Sequence, residues 1–332
     1  MPLPWAQVHR IAATEAARVF QALAIDTTQQ IDPFAALAAE GVVVMRRPLD
    51  RVAGLYVPGD ARRGNPPGVL INSGHPLTKQ RYTAAHELGH HRRDHEVVLD
   101  EDTEWFGRGV EPALDRERIA EAFAAWFLMP RQLMQTKIQA VGLSPRLLNA
   151  EGAYTLALEL GTSYAATVHH LTDTRLIPAS RREELLNVAP QEIKRTLGAF
   201  DALADSWRDV RVVRPDQAGT AVRVQEGDAL VVEVPETPSS GYLWETTTLP
   251  GGLTLVRDEY RAPNGDDLLG GRGTHRFLFR ADGPGQREVR LDLRRPWQQR
   301  AAPTEVRHLG VAVEAKPVPG IVNPDILVNA VA

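Results

Sequence analysis

The sequence predicts a multidomain chain of mixed α+β class, and three observations carry that prediction. Apolar residues recur at helical spacing over residues 6–24 (Val8, Ile11, Ala12, Ala16, Val19, Phe20, Leu23). Short apolar runs, GVVVM at 41–45 and GVLIN at 68–72, read as buried strands in the same first portion. After Trp207 the pattern changes to β-branched, alternating runs broken by Gly, Pro and Asp turns.

Taken in order, the N-terminal helix and the two strands come first, and the Gly/Pro-rich stretch PGDARRGNPPG reads as an exposed connection between strands. Thr78 is placed to cap a helix from about Lys79 through His95. A second helix begins near Asp115 and stops at Pro130, because proline lacks the N–H that a helix interior uses and disfavours helix in the residue before it. Residues 1–130 thus form one α+β domain. From Arg131 to Ser206 the pattern is helical throughout, with Gly161 and Ser163 between two amphipathic stretches. VRVQEGDALVVEV, GYLWETTTL, LTLVRDEY, HRFLFRA, REVRLDLRRPW and VRHLGVAVEA then predict an antiparallel sandwich or barrel over 207–318, followed by a tail over 319–332.

Composition narrows the chemistry. A formal net charge of -4 gives no global attraction to nucleic acid or to an anionic membrane. Cysteine is absent, so there is no disulfide framework and no thiolate nucleophile, and any metal must be held by His, Asp or Glu. The N-terminus lacks a basic start with an apolar core, and no apolar run approaches the ~20 residues of a membrane span. These features lead us to expect a cytoplasmic protein.

The stretch RYTAAHELGHHRRDHE concentrates four histidines and two glutamates in residues 81–96. In HELGH, His86 and His90 are spaced i,i+4, so on a helix both imidazoles leave the same face and can meet one ion. Glu87 points roughly 100° around the axis, where it can reach an activated water without ligating, as in zinc peptidases. The competing reading is a solvated charged helix. A catalytic zinc needs a third protein ligand and an open position. Glu117, on the helix DRERIAEAFAAWFLMP, is the candidate, and Glu121 one turn on can accept the spare N–H of a ligand histidine and fix its tautomer. Zinc is the expected ion, though His₂Glu ligation does not separate it sharply from manganese.

GLYV followed by GVLIN, then RYTAAHELGHH, then ERIAEAFAAWFLMP, resembles in this order the ImmA/IrrE metallopeptidases over roughly residues 10–190. The resemblance implies zinc ligands His86, His90 and Glu117 with Glu87 as base, in agreement with the spacing argument. It also implies a zincin-like domain and a helix-turn-helix transcriptional repressor as protein substrate, cut to derepress stress-response or mobile-element genes. Glu121 stands where the family has asparagine, and Asp94 then His95 where it often has histidine. AYTLALELGTSYAATVHHL is similar to the family's helix-turn-helix-like segment. Its second helix offers Tyr164, Thr167, His169 and His170 but no Arg or Lys, so direct DNA binding is weakly supported and packing is the expected role.

TPSSGYLWE, LLGGRGTHRF and RRPWQ resemble the three loop motifs of chagasin-type cysteine-protease inhibitors, over roughly 209–315. The resemblance implies an immunoglobulin-like sandwich with its loops at one end, and a recognition surface formed by Ser239, Ser240, Gly241, Tyr242, Gly270, Gly273, Arg295, Pro296 and Trp297. Thr237 replaces the family's asparagine and Arg272 a glycine. The expected function is a zinc endopeptidase with the β domain as sensor, docking or autoregulatory module. Two alternatives stay open: a cysteine-protease inhibitor on a metal-domain scaffold, and a DNA-binding regulator.

Overall fold

A computed structural model describes residues 2–60, 62–93, 98–101, 115–140, 142–200, 203, 205–216, 220–248, 250–262, 272–298 and 301–326. The chain forms two compact units, Met1–Val188 with Pro317–Ala332, and Ala189–Lys316.

In the first unit, helix α1 (Trp5–Ala22) buries Val8, Ala12, Ala16 and Val19, the i, i+4, i+8 stripe seen in the sequence. Helix α2 (Pro33–Ala39) starts with proline at its first position, and the Asp32 carboxylate accepts from the Phe34 N–H. Strands β1 (Val43–Arg47), β2 (Val52–Val57), β3 (Gly68–Asn72) and β4 (Val98–Glu101), with β13 (Gly320–Ile321), form a sheet in the order β13-β1-β3-β2-β4. β1 and β3 run parallel, and the other neighbours antiparallel. Residues 58–67, expected as a loop, join β2 to β3 and close on themselves through an Asp60–Asn65 bridge.

Helix α3 (Leu77–Arg93) lies on β2 and β3, and α4 (Asp115–Leu128) packs against α3 and α1. α3 begins two residues before the expected start: the Pro76 carbonyl accepts from Lys79 N and Gln80 N, so Thr78 lies inside the first turn and is not its cap. Its expected last residues, Asp94 and His95, lie outside the described residues. α4 ends two residues ahead of Pro130, as the residue before a proline resists helix.

Helices α5 (Arg131–Ala140), α6 (Ala150–Leu160), α7 (Tyr164–Asp173) and α8 (Ala179–Leu186) complete this unit. Gly161 ends α6 in the left-handed region at φ 66°, and the Ser163 hydroxyl accepts from Ala166 N to cap α7. Of the residues that direct DNA readout would use, Tyr164, Thr167 and His170 are buried. His170 donates from Nε2 to the Met129 carbonyl at 3.1 Å, with its ring edge-on to Trp126 of α4. α7 therefore spends this face on packing.

The second unit opens with α9 (Pro190–Thr196), then β5 (Val210–Val213), β6 (Thr220–Gln225), β7 (Ala229–Glu236), β8 (Leu243–Thr248), β9 (Leu253–Arg261), β10 (Gly273–Ala281), β11 (Gly285–Arg294) and β12 (Glu305–Glu314). They form two four-stranded sheets, β5-β7-β10-β9 and β6-β12-β11-β8. Leu230, Val232, Phe277 and Phe279 of the first sheet share one core with Val224, Trp244, Val289, Leu291, Leu309 and Val311 of the second. Pairing is mostly antiparallel, as expected, but β5–β7 and β6–β12 are parallel. The chain leaves the first sheet after β5 and enters the second at β6, so neither strand can pair as a hairpin with its neighbour.

The boundary expected near 206 lies at 188/189. Lys194 of α9 is buried, donates to the carbonyls of Ser206 and Arg208, and pairs with Asp209 at 3.3 Å. Arg276 and Arg257 donate to the carbonyls of Leu197 and Gly198, satisfying the carbonyls that a helix leaves open at its C-terminus. Ala199, Val210, Ala229, Val231 and Leu278 make a second small core there. Nor is the segment after 318 a free tail, since β13 is a strand of the first unit's sheet. No helix among the described residues is long and apolar enough to cross a membrane.

Candidate metal centre and loop surface

α3 carries its functional residues on two faces. His86 and His90 face the first turn of α4, where Glu117 sits. Thr83, Glu87 and His91 face β2: Thr83 and Glu87 lie against Gly54, and His91 Nδ1 is 3.1 Å from the Tyr56 hydroxyl. The sequence dictates this split, because i,i+4 residues share a face while i,i+1 residues stand about 100° apart.

His86 Nε2 and His90 Nε2 are 3.0 Å apart, and Glu117 Oε2 lies 3.4 Å from the first and 3.3 Å from the second. Three donors bonded at ~2.0–2.1 Å to a tetrahedral ion are separated by roughly 3.3–3.4 Å, so the triangle has the dimensions of one face of such a site. This cluster is the one group of three metal-ligating side chains among the described residues. Two imidazoles and a carboxylate converging through three lone-pair-bearing atoms fit a divalent cation of zinc type. Without an ion, burial works to raise the Glu117 carboxyl, but hydrogen bonds donated by His86 and His90 in place of metal bonds outweigh it and hold the group at about 2. Glu117 therefore stays anionic, as a ligand requires. His90 and Glu87 are fully buried and His86 nearly so, while Glu117 is half-buried on the open side.

Packing fixes where Glu117 stands. Gly89 brings α4 close: a Cβ there would lie 3.1 Å from Phe123 Cδ1 and 3.3 Å from Ala120 Cα. The Tyr82 hydroxyl donates to the Glu121 carbonyl at 3.0 Å. At the start of α4, Asp115 accepts from Leu3 N and Arg118 donates to Leu3 O, tying the helix to the N-terminal arm. Arg81 donates to the carbonyls of Ile31 and Gly161, joining α3 to the end of α6. Sequence reasoning passed over Gly54, Gly89, Tyr82 and Arg81. They lie within GLYV and RYTAAHELGHH, where residue type and spacing give no sign of the close packing that they serve.

In the second unit, the residues expected to form loops partly come together. Thr237 is followed by a 3-10 turn (Pro238–Ser240) that ends at Gly241, at φ 75°. A Cβ on Gly241 would lie 2.8 Å from Trp297 Cη2, so the indole rests on the turn. Arg295 stacks over Tyr242 with its guanidinium carbon 4.6 Å from the ring centroid. Trp297 is 68% exposed, so it is not a core residue. Gly273 is not a loop residue. It opens β10, where a Cβ would overlap the Tyr260 hydroxyl and the Arg261 carbonyl, so it serves close strand packing. Gly270 lies outside the described residues. Below the turn, Glu236 accepts from Trp244 N at 2.6 Å and from His275 Nδ1 at 2.9 Å, and Asp258 holds His275 Nε2 at 2.5 Å. Burial opposes protonation of His275, but the two carboxylates overcome it and raise its pKa.

Comparison with known proteins agrees with both halves. Residues 37–172 match the Peptidase M78 family model, described as the IrrE N-terminal-like domain, and residues 223–311 match the chagasin family peptidase inhibitor I42. No curated protein matches the chain. Similar solved structures include the cysteine protease inhibitor EhICP2 from Entamoeba histolytica (16% identity over 32% of this chain and 97% of that one, TM-score 0.30). Others are amebosin (22%, 32% and 98%, TM-score 0.27) and PbICP-C in complex with falcipain-2 (15%, 32% and 98%, TM-score 0.22). The M78 family implies a metallopeptidase domain. One polypeptide thus joins a segment that matches the IrrE N-terminal-like domain of the Peptidase M78 family to a segment that matches the chagasin family of peptidase inhibitors.

Proposed function

We propose that the chain is a zinc-dependent endopeptidase whose ion is held by His86, His90 and Glu117, with manganese as the other ion that this donor set suits. The observation that carries the reading is the triangle of 3.0, 3.4 and 3.3 Å between the three donor atoms. When bound, the ion supplies Lewis acidity, acidifying water and polarising a carbonyl. Glu87 takes the proton from the attacking water on its carboxylate and returns it to the departing amine nitrogen. Its full burial keeps bulk water from competing for that proton. Glu121 is the candidate for orienting a ligand histidine, since it lies one helical turn beyond Glu117.

The substrate implied by the IrrE likeness is a helix-turn-helix repressor in the cytoplasm. The chagasin-family unit, an immunoglobulin-like sandwich in this reading, serves as docking, sensing or autoregulatory module. The exposed Trp297 beside Gly241 and Tyr242 also favours a second reading, that this unit inhibits a cysteine protease. DNA binding is the least supported, because Tyr164, Thr167 and His170 are buried. Incubating the zinc-loaded full chain with a purified helix-turn-helix repressor tests the proposal. Cleavage abolished by chelator and slowed about 100-fold or more, to a measurable residual rate, by Glu87→Gln is expected. Cleavage at the wild-type rate in that variant overturns it.

A further inference from the structure

We infer that Gly54 of β2 is the positioning residue for Glu87, so that the missing side chain on the strand is the space that the carboxylate occupies. The inference rests on the peptidase reading for its catalytic consequence and on packing alone for its structural one.

Glu87 stands on the α3 face turned to the sheet, one position from the metal-facing His86, and is fully buried. What it meets there is the backbone of β2. A Cβ built on Gly54 would lie 2.7 Å from Glu87 Oε1, would overlap Thr83 Cγ2, and would sit 3.3 Å from the Leu70 carbonyl. Gly54 lies inside the sheet, opposite Ile71 of β3 and Asp100 of β4, and although the register against β4 shifts between Val52 and Gly54, its backbone cannot retreat without breaking its pairing with β3. Its φ is not in the left-handed region, so no turn demands glycine here. In a strand interior, glycine costs stability and is found where something approaches the backbone closely. At Gly54 the approaching groups are Thr83 and the Glu87 carboxylate.

The two faces of α3 are therefore set by two glycines. Gly89 admits α4 and so places a ligand carboxylate. Gly54 admits α3 to the sheet and so places the proton-transferring one.

A double-substitution cycle in the full chain tests the inference twice. In the metal-free protein, Gly54→Ala lowers the midpoint of thermal unfolding. In a Glu87→Ala background the same change lowers it less, because the vacated carboxylate leaves room for the methyl. The control Thr83→Ala shows how much of the overlap belongs to the threonine. In cleavage of the repressor, Gly54→Ala lowers kcat by about 100-fold with KM unchanged, the scale of an ångström-sized misplacement. Added to Glu87→Gln it lowers kcat no further, whereas a merely structural defect would multiply. Equal unfolding shifts in both backgrounds overturn the inference whether or not the chain is a peptidase, as does an additive loss of kcat. Absence of cleavage by the wild type defeats the peptidase reading alone, because the unfolding cycle still returns its result.

Discussion

Asn323 pairs with Val44 and Val42 as a strand backbone would: its Oδ1 accepts from Val44 N at 2.8 Å and its Nδ2 donates to the Val42 carbonyl at 2.8 Å. Val322 N adds a bond to the Val44 carbonyl, and Met45 and Arg46 lie opposite Ile321 and Gly320. The chain thus leaves the first unit at Val188 and returns to its sheet after Lys316. Asn323→Ala removes two of these bonds and should cost about 1–2 kcal/mol, read by denaturant unfolding. Removing residues 317–332 should expose the β1 edge and promote self-association. Deleting 189–316 behind a short linker should not. A truncation that leaves both unfolding and oligomeric state unchanged contradicts the role of the strand.

His170 gives unit one an acid-sensitive point. Burial, helped by the nearby His9, lowers its pKa to about 3 against the Met129 hydrogen bond, which raises it. The unfolded chain takes up a proton near the ordinary value of ~6.5 that the folded chain refuses. Stability contributed by the neutral ring is therefore present above that value and lost as the pH falls from it towards about 3. His170→Gln, which stays neutral, should flatten the decline of the unfolding midpoint between ~pH 6.5 and ~5. An unchanged slope contradicts this account.

Gly89 should be coupled to metal binding. Gly89→Leu drives a branched side chain into Phe123 and Ala120 and moves Glu117 away from the histidines, weakening zinc affinity about tenfold or more by displacing a ligand. Calorimetric titration with zinc measures the effect, and wild-type affinity would show that helix separation does not set the triangle.

The loop surface makes its own prediction. If Trp297 and Tyr242 anchor a cysteine protease, the full chain inhibits papain, and Trp297→Ala with Tyr242→Ala weakens inhibition by roughly 30-fold, the loss of a ~2 kcal/mol anchor. Inhibition equal to wild type removes these aromatics from the contact.

Much of this was legible in the sequence because it depends on local periodicity. HELGH fixes two imidazoles on one helix face, and GVLIN is short and apolar enough to read as the strand Gly68–Asn72 that forms. What was hidden depends on long-range closure. β2 contains Gly54, which weakens a strand pattern for the very reason that it is needed there. β5 pairs in parallel with a strand beyond β6, and β13 is two residues long, too short for any period to show. Nothing in residue type or spacing marks Lys194 and Arg276 as buried, yet they bind the carbonyls of Arg208 and Leu197, which only the packed chain reveals.

The central claim is that His86, His90 and Glu117 hold one ion while Glu87 does not. Metal content by native mass spectrometry of the zinc-exchanged full chain tests it most directly. The expected result is about one zinc per chain in the wild type and in Glu87→Gln, and little in His90→Ala or Glu117→Ala, since a closed triangle of donors fails when one is removed. Full occupancy in either ligand variant, or loss of metal in Glu87→Gln, contradicts it.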